Sequence, residues 1–75
     1  MLPTEEQLAE IAKKEEYLSE KTKLVAQRKA LLEELEFAEN DMEEGLIQEK
    51  RDALATHIKA LASRLRQIEE WETLA

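Results

Sequence analysis

Carboxylates are the side chains whose number and spacing in this sequence could support chemistry. Seven of them lie between residues 33 and 44, with no Lys or Arg among them. Such a cluster can bind a cation, supply an acid and a base inside a pocket, or attract a basic partner. We call them the acidic tip, because the chain is predicted to turn among them. The acidic tip consists of Glu33, Glu34, Glu36, Glu39, Asp41, Glu43 and Glu44.

The residue types disfavour a metal site and an enzyme. The Asp-x-Asp-x-Asp-Gly spacing of a calcium loop is missing, there is no cysteine, and no Glu or Asp stands three residues before the single histidine, His57. A glycine-rich phosphate loop is also missing, and 75 residues are too few to enclose a catalytic pocket. We therefore expect solvated acids, with no catalysis, no metal, no cofactor and no small-molecule substrate.

The charge balance disfavours two classes of partner. The net charge of -7 repels phosphate, and the 11 Lys and Arg residues form no stripe, so neither direct nucleic-acid binding nor membrane-surface binding is expected. No apolar run approaches the roughly 20 residues that cross a bilayer, and the first residues do not resemble a secretion signal. The chain is expected to be soluble and cytoplasmic.

Composition predicts helices. Charged residues make up 39% of the chain, and there is one glycine and one proline, as in long helices or coiled coils. Disordered acidic chains are equally polar but are poor in apolar residues, whereas here these reach 43% and recur periodically. The sequence therefore predicts an all-α fold.

The first helix is predicted to begin at Thr4. Pro3 cannot extend a helix backwards, Thr4 can accept a hydrogen bond as N-cap, and Gln7 completes a capping box. The apolar stripe that follows is wider than a two-stranded seam, which favours packing against more than one neighbouring helix. Its members are Ile11, Leu18, Leu24, Val25, Leu31, Leu32 and Leu35.

A second helix follows, with a more regular repeat at the 3/4 spacing of a coiled-coil core. Ala55 and Ala62 lie along one side of this stripe and have small side chains. Arg51 and Glu72 fall in the stripe near its two ends, so the ends are its most polar part. The members of the second stripe are Ile47, Leu54, Ile58, Leu61, Leu65 and Ile68.

A turn between the two stripes is predicted because the heptad positions of the second stripe are shifted by two residues relative to those of the first, across residues 42 to 47. A single stutter or stammer, which changes the count by four or three residues, cannot account for a shift of two. Either Asn40 ends the first helix in the left-handed conformation and Asp41 caps the second with Glu44, or Gly45 ends it. We predict one domain, 1–75, with a helix over 4–40, a turn over 40–45 and a helix over 46–74. One continuous helix in a parallel coiled-coil dimer is the alternative.

An antiparallel coiled-coil hairpin then places large residues against small ones and leaves apolar surface uncovered. Two hairpins packing as a homodimeric four-helix bundle would cover it, so the two stripes listed above are the predicted oligomer interface. Lys21 and Arg28 also fall on the wide face, with stems that can cover apolar surface. The predicted facing pairs are Ile11 with Ala75, Leu18 with Ile68, Val25 with Leu61, and Leu32 with Leu54. The same register sets the large Leu24 against Ala62 and the large Leu31 against Ala55.

Two functional classes fit these expectations. The first is a non-enzymatic coiled-coil interaction module, a self-associating hairpin that acts as a small adaptor, assembly factor or regulator. The second is an acidic decoy of phage or plasmid type that mimics nucleic acid and occupies the basic surface of a nucleic-acid-binding protein. A protein partner, basic in the second case, is expected to contact the acidic tip together with Phe37 and Trp71.

Overall fold

The computed structural model describes residues 2–74, and within that range the chain consists of three helices joined by short connections, with no strand. Helix α1 spans Glu5–Ala12, α2 spans Lys14–Glu36 and α3 spans Asp41–Leu74. The predicted all-α fold is therefore confirmed.

The N-terminus of α1 forms as the sequence predicts. The Thr4 hydroxyl accepts a hydrogen bond from the Gln7 backbone N–H at 3.2 Å, and the Gln7 side chain accepts one from the Thr4 N–H at 2.9 Å. This capping box satisfies backbone donors that the first helical turn leaves free.

The first predicted helix is divided at Lys13. The Lys13 N–H donates to the Glu10 carbonyl at 3.0 Å, three residues back instead of four, so the chain tightens locally before α2 begins. Tyr17 N–H then donates to the Lys13 carbonyl at 3.0 Å. The prediction of one unbroken helix from residue 4 is wrong at this point.

The turn lies earlier than predicted. Helix α2 ends at Glu36, and Asn40 caps α3 through its side-chain oxygen, which accepts from the Glu43 N–H at 2.9 Å. The Glu43 carboxylate in turn accepts from the Glu39 N–H at 3.0 Å. The turn predicted over residues 40 to 45 is therefore wrong, because the capping pair is displaced one residue from the expected Asp41 and Glu44.

Both predicted ways of ending the first helix are also wrong. No residue from 2 to 74 has a positive φ, so Asn40 does not adopt the left-handed conformation. Gly45 lies inside α3, where a Cβ atom would meet nothing within 4 Å. Propensity disfavours glycine in a helix by about 1 kcal/mol, which the 34-residue length of α3 and its packing outweigh.

Helices α2 and α3 lie side by side, in a molecule of 56 × 15 × 15 Å. Lys14 reaches Glu72 across the pair at 2.8 Å, and Glu20 reaches His57 at 3.3 Å. The chain thus doubles back and does not form a continuous helix. Its buried core lies on α3 at Leu61, Leu65 and Ile68.

The face that α2 turns toward α3 differs from the predicted one. Tyr17, Leu24 and Leu31 are half-buried, and the stems of Lys21 and Arg28 are half-buried with them. Long charged side chains can cover apolar surface while their charges reach water, which makes this face usable as a seam. The predicted pairs of Leu18, Val25 and Leu32 are therefore wrong, because this row is exposed beside the seam. Ala75, the predicted partner of Ile11, lies outside the described residues.

Candidate functional site: the leucine edge and the acidic tip

Three large apolar side chains remain exposed along one edge of α2. Leu18 is 39% exposed, Val25 is 47% exposed and Leu32 is 45% exposed. They recur at intervals of one heptad, so they lie above one another on the same side of the helix. We call this row the leucine edge.

The leucine edge borders a groove whose other wall belongs to α3. Val25 and Leu32 line this groove together with Arg51 and Ile58. Ala55 follows Arg51 by four residues and precedes Ile58 by three, so it lies on the same side of α3, and Ala62 lies one heptad further along. Both alanines are half-buried. One wall therefore carries large side chains and the other carries small ones.

Basic side chains surround the same groove. Arg28, Lys29 and Arg51 line it, in a chain whose net charge is -7. The Nε atoms of Arg28 and Arg51 are shielded from solvent and have no hydrogen-bond partner in the part of the chain that the structure describes. The ion pair in that part is Lys14 with Glu72, and Glu20 lies 3.3 Å from His57; neither contact involves the groove. A carboxylate from outside the chain could therefore pair with these cations.

The opposite edge of the helix pair is mixed in character, because Ala30, Leu31, Ala53 and Leu54 line an apolar hollow on it. It contains the Glu20–His57 contact and a shallow hollow lined by Arg64, Trp71 and residues of α1. Trp71, a predicted partner contact, is half-buried there. This edge has no row of large exposed apolar residues comparable with the leucine edge in residues 2–74.

The acidic tip surrounds the turn, and all seven of its residues are exposed. Phe37, at 80% exposed, stands in the turn itself, and Met42 is exposed in the first turn of α3. The acids at the start of α3 are favoured by the helix dipole, whereas those at the end of α2 are disfavoured and have no basic residue in the last turn to offset them. No acid of the tip belongs to an ion pair within residues 2–74.

The structure divides the predicted oligomer interface into two groups. The first lies between the helices of one chain and consists of Leu24, Leu31, Leu35, Ile47, Leu54, Ile58, Leu61, Leu65 and Ile68. The second is the leucine edge, and Ile11 at the end of α1 is half-buried between the two groups. Sequence reasoning placed Arg28 and Arg51 on the two stripes but missed Lys29 and the meeting of all three around one groove, although their position beside the heptad repeat was a usable signal.

Two hydrogen bonds raise pKa values at the end of the helix pair far from the turn. The Tyr17 hydroxyl donates to the Glu10 carboxylate at 2.6 Å, which raises the pKa of Tyr17 above its ordinary value. The Lys14 ammonium donates to Glu72, which raises the pKa of Lys14. Both shifts strengthen the form already present at neutral pH, so neither residue is activated as an acid, a base or a nucleophile.

Comparison with protein-family models, with curated proteins and with solved structures found no match. Within residues 2–74, no group of three or more metal-binding side chains is arranged to hold an ion. None of the three described helices is both long enough and apolar enough to cross a membrane. The candidate functional surfaces are the leucine edge and the acidic tip.

Proposed function

We propose that this chain is a non-enzymatic protein-interaction module, a coiled-coil hairpin that self-associates and acts as an adaptor, assembly factor or regulator. The observation that carries the proposal is the leucine edge. Three large apolar residues recur along one side of α2 and are 39% to 47% exposed after α2 has packed against α3. Contiguous apolar surface of this kind is typical of sites of protein association.

The thin core supports the same conclusion. The accessible surface is 5893 Å², whereas a compact monomer of 8.7 kDa exposes about 4,700 Å². Standard protein interfaces bury about 800 Å² on each partner, so the surplus is large enough to supply one. Dimerisation into a four-helix bundle would bury it and would add the core that the helix pair lacks.

Sedimentation equilibrium tests the proposal directly. The wild-type chain is expected to sediment at twice its 8.7 kDa mass. Val25→Glu places a charge in the middle of the leucine edge and is expected to give monomers. Ala30→Glu places the same charge on the other side of α2, where Ala30 is exposed, and serves as the matched control. A wild-type chain that stays monomeric at all concentrations would refute self-association.

The acidic tip supports a second candidate function, the acidic decoy. Its seven carboxylates have no ion-pair partner within residues 2–74, and Phe37 stands exposed among them. Reversing Glu33, Glu34, Glu36 and Glu39 to Lys should then abolish binding to basic nucleic-acid-binding proteins, tested as a panel of purified domains. Reversing Glu5, Glu6, Glu16 and Glu70 makes an equal charge change at exposed positions away from the tip. Equal losses in both variants would indicate nonspecific charge attraction instead of a site.

A further inference from the structure

The leucine edge and the groove beside it indicate how a second copy would dock. This inference rests on the proposed self-association and adds the orientation of the two copies. The edge of α2 carries the large Leu18, Val25 and Leu32, while α3 carries the small Ala55 and Ala62 on the same side of the molecule. Large residues on one surface and small residues on the other interdigitate at normal packing density. The favoured contact is therefore α2 of one copy on α3 of another.

Contacts within one chain show which residues of α2 and α3 lie at the same height along the long axis of the molecule. Residues 27–31 of α2 and 50–54 of α3 line one shared hollow, so they lie at the same height. At the end of the helix pair far from the turn, Lys14 contacts Glu72, and the charge of Glu69 also raises the pKa of Lys14. Lys29 is therefore level with Asp52. The Glu20–His57 contact is offset along the helices in the opposite direction from the Lys14–Glu72 contact, and the two together place Glu15 close to the level of Arg66.

Charged residues flank the two rows on their outer sides. On α2, Glu15 precedes Leu18 by three residues and Lys29 precedes Leu32 by three. On α3, Asp52 precedes Ala55 by three and Arg66 follows Ala62 by four. These spacings put each charge next to its row. All four are exposed, and none forms an ion pair within the described part of the chain.

We propose that a second copy of this chain covers the leucine edge, related to the first by a two-fold axis parallel to the helices. Such a rotation exchanges α2 with α3 and leaves heights unchanged. Lys29 then faces Asp52 of the second copy, Glu15 faces Arg66, and symmetry makes each contact twice. The carboxylate of Asp52 also approaches the unpaired cations of the groove, Arg28 and Arg51.

Antiparallel docking fits less well. A two-fold axis perpendicular to the helices, passing by Val25, places α2 on α2 and sets Lys29 against Lys21 of the second copy. It also sets Leu18 against Leu32, with no small residue opposite either of them. The parallel-axis arrangement does bring two acidic tips to one end, but these exposed carboxylates are screened beyond about 8 Å at physiological salt.

A charge exchange tests the paired residues. Lys29→Glu and Asp52→Lys each place like charges opposite one another twice, so each variant alone should dissociate about tenfold more readily than wild type. An equimolar mixture restores opposite charges at both contacts and should recover wild-type affinity. Lys23→Glu and Glu16→Lys make the same charge changes on the far side of α2 and should leave affinity unchanged.

Pulsed electron paramagnetic resonance tests the orientation. The chain has no cysteine, so Glu39→Cys gives a single labelling site at the exposed turn. Copies that point the same way should place the two labels within about 30 Å, because neighbouring helices pack 8 to 10 Å apart. Copies that point in opposite directions about an axis beside Val25 should separate the labels by about 42 Å, because Glu39 lies 14 residues from that axis in each copy.

The outcomes separate this inference from the proposed function. A dimer with distant labels, or one that Lys29→Glu does not weaken, overturns the orientation and leaves self-association intact. A wild-type monomer overturns both. A dimer with close labels, weakened by each charge variant and restored by their mixture, supports both.

Discussion

Replacing Ile68 with Ala tests where the core lies. Ile68 is 0% exposed and belongs to the buried part of α3. The substitution removes three carbons, at about 0.8 kcal/mol per buried methylene, or about 2.4 kcal/mol before the cavity is counted. With a cavity that closes only partly, losses of about 2 to 5 kcal/mol are typical of Ile→Ala.

This loss is large for a chain of 75 residues. At about 0.05 to 0.15 kcal/mol per residue, its total stability is about 4 to 11 kcal/mol. Ile68→Ala should therefore lower the urea midpoint sharply and, at the low end of that range, should unfold the chain. Far-ultraviolet circular dichroism in urea measures the effect, with an unchanged slope showing that two-state unfolding is retained.

Leu46→Ala is the matched control, since it removes as many carbons from the same helix at an exposed position. We expect it to cost less than about 1 kcal/mol. Protein concentration must be held constant because self-association would couple stability to mass action. Equal losses for Ile68→Ala and Leu46→Ala would refute the assignment of the core to the interior of the helix pair.

Three further predictions follow from particular contacts. Gly45→Ala should raise the free energy of unfolding by about 1 kcal/mol, since Gly45 is helical with open space at the Cβ position; a loss in urea unfolding would contradict this placement. Asn40→Ala should lower the free energy of unfolding by about 1 kcal/mol, because it removes the cap of α3; urea unfolding measures the loss. Asp41→Asn leaves this cap in place and should cost less. Tyr17, the only tyrosine, should ionise above its ordinary pKa of 10.0 in a titration of phenolate absorbance, and Glu10→Ala should reverse the shift. Because the folded pKa is raised, this contribution to stability is complete below pH 10 and is lost as the pH rises through the folded value.

Local signals in the sequence predicted parts of the fold accurately. Thr4 and Gln7 form the expected capping box because every group involved lies within one helical turn. The inward row of α3 also agrees with its heptad repeat, since Leu61, Leu65 and Ile68 form the single regular apolar row of that helix. Where one set of local hydrogen bonds or one apolar row is clearly more favourable than the alternatives, the sequence alone is sufficient to predict it.

The turn was harder to predict because several residues could make it. Asn40, Asp41 and Gly45 all have turn or capping chemistry, and the choice depends on how far α3 can extend toward its N-terminus. In the structure Asn40 caps α3, and the helix continues through Gly45. The loss of helix propensity at one glycine is smaller than the gain from a longer helix with a satisfied cap.

The choice of face on α2 was the harder problem, and it bears on function. Helix α2 has two apolar rows, one with Leu24 and Leu31 and the other with Leu18, Val25 and Leu32, but a single neighbouring helix can cover only one of them. The covered row brings Lys21 and Arg28 into the seam, where both residues are half-buried and the Arg28 Nε is shielded from solvent. The more continuous apolar row is thereby left exposed. Leu18, Val25 and Leu32 keep 39% to 47% of their surface exposed after α2 has packed against α3, so the width that misled the prediction of facing pairs is also the main argument for the proposed association.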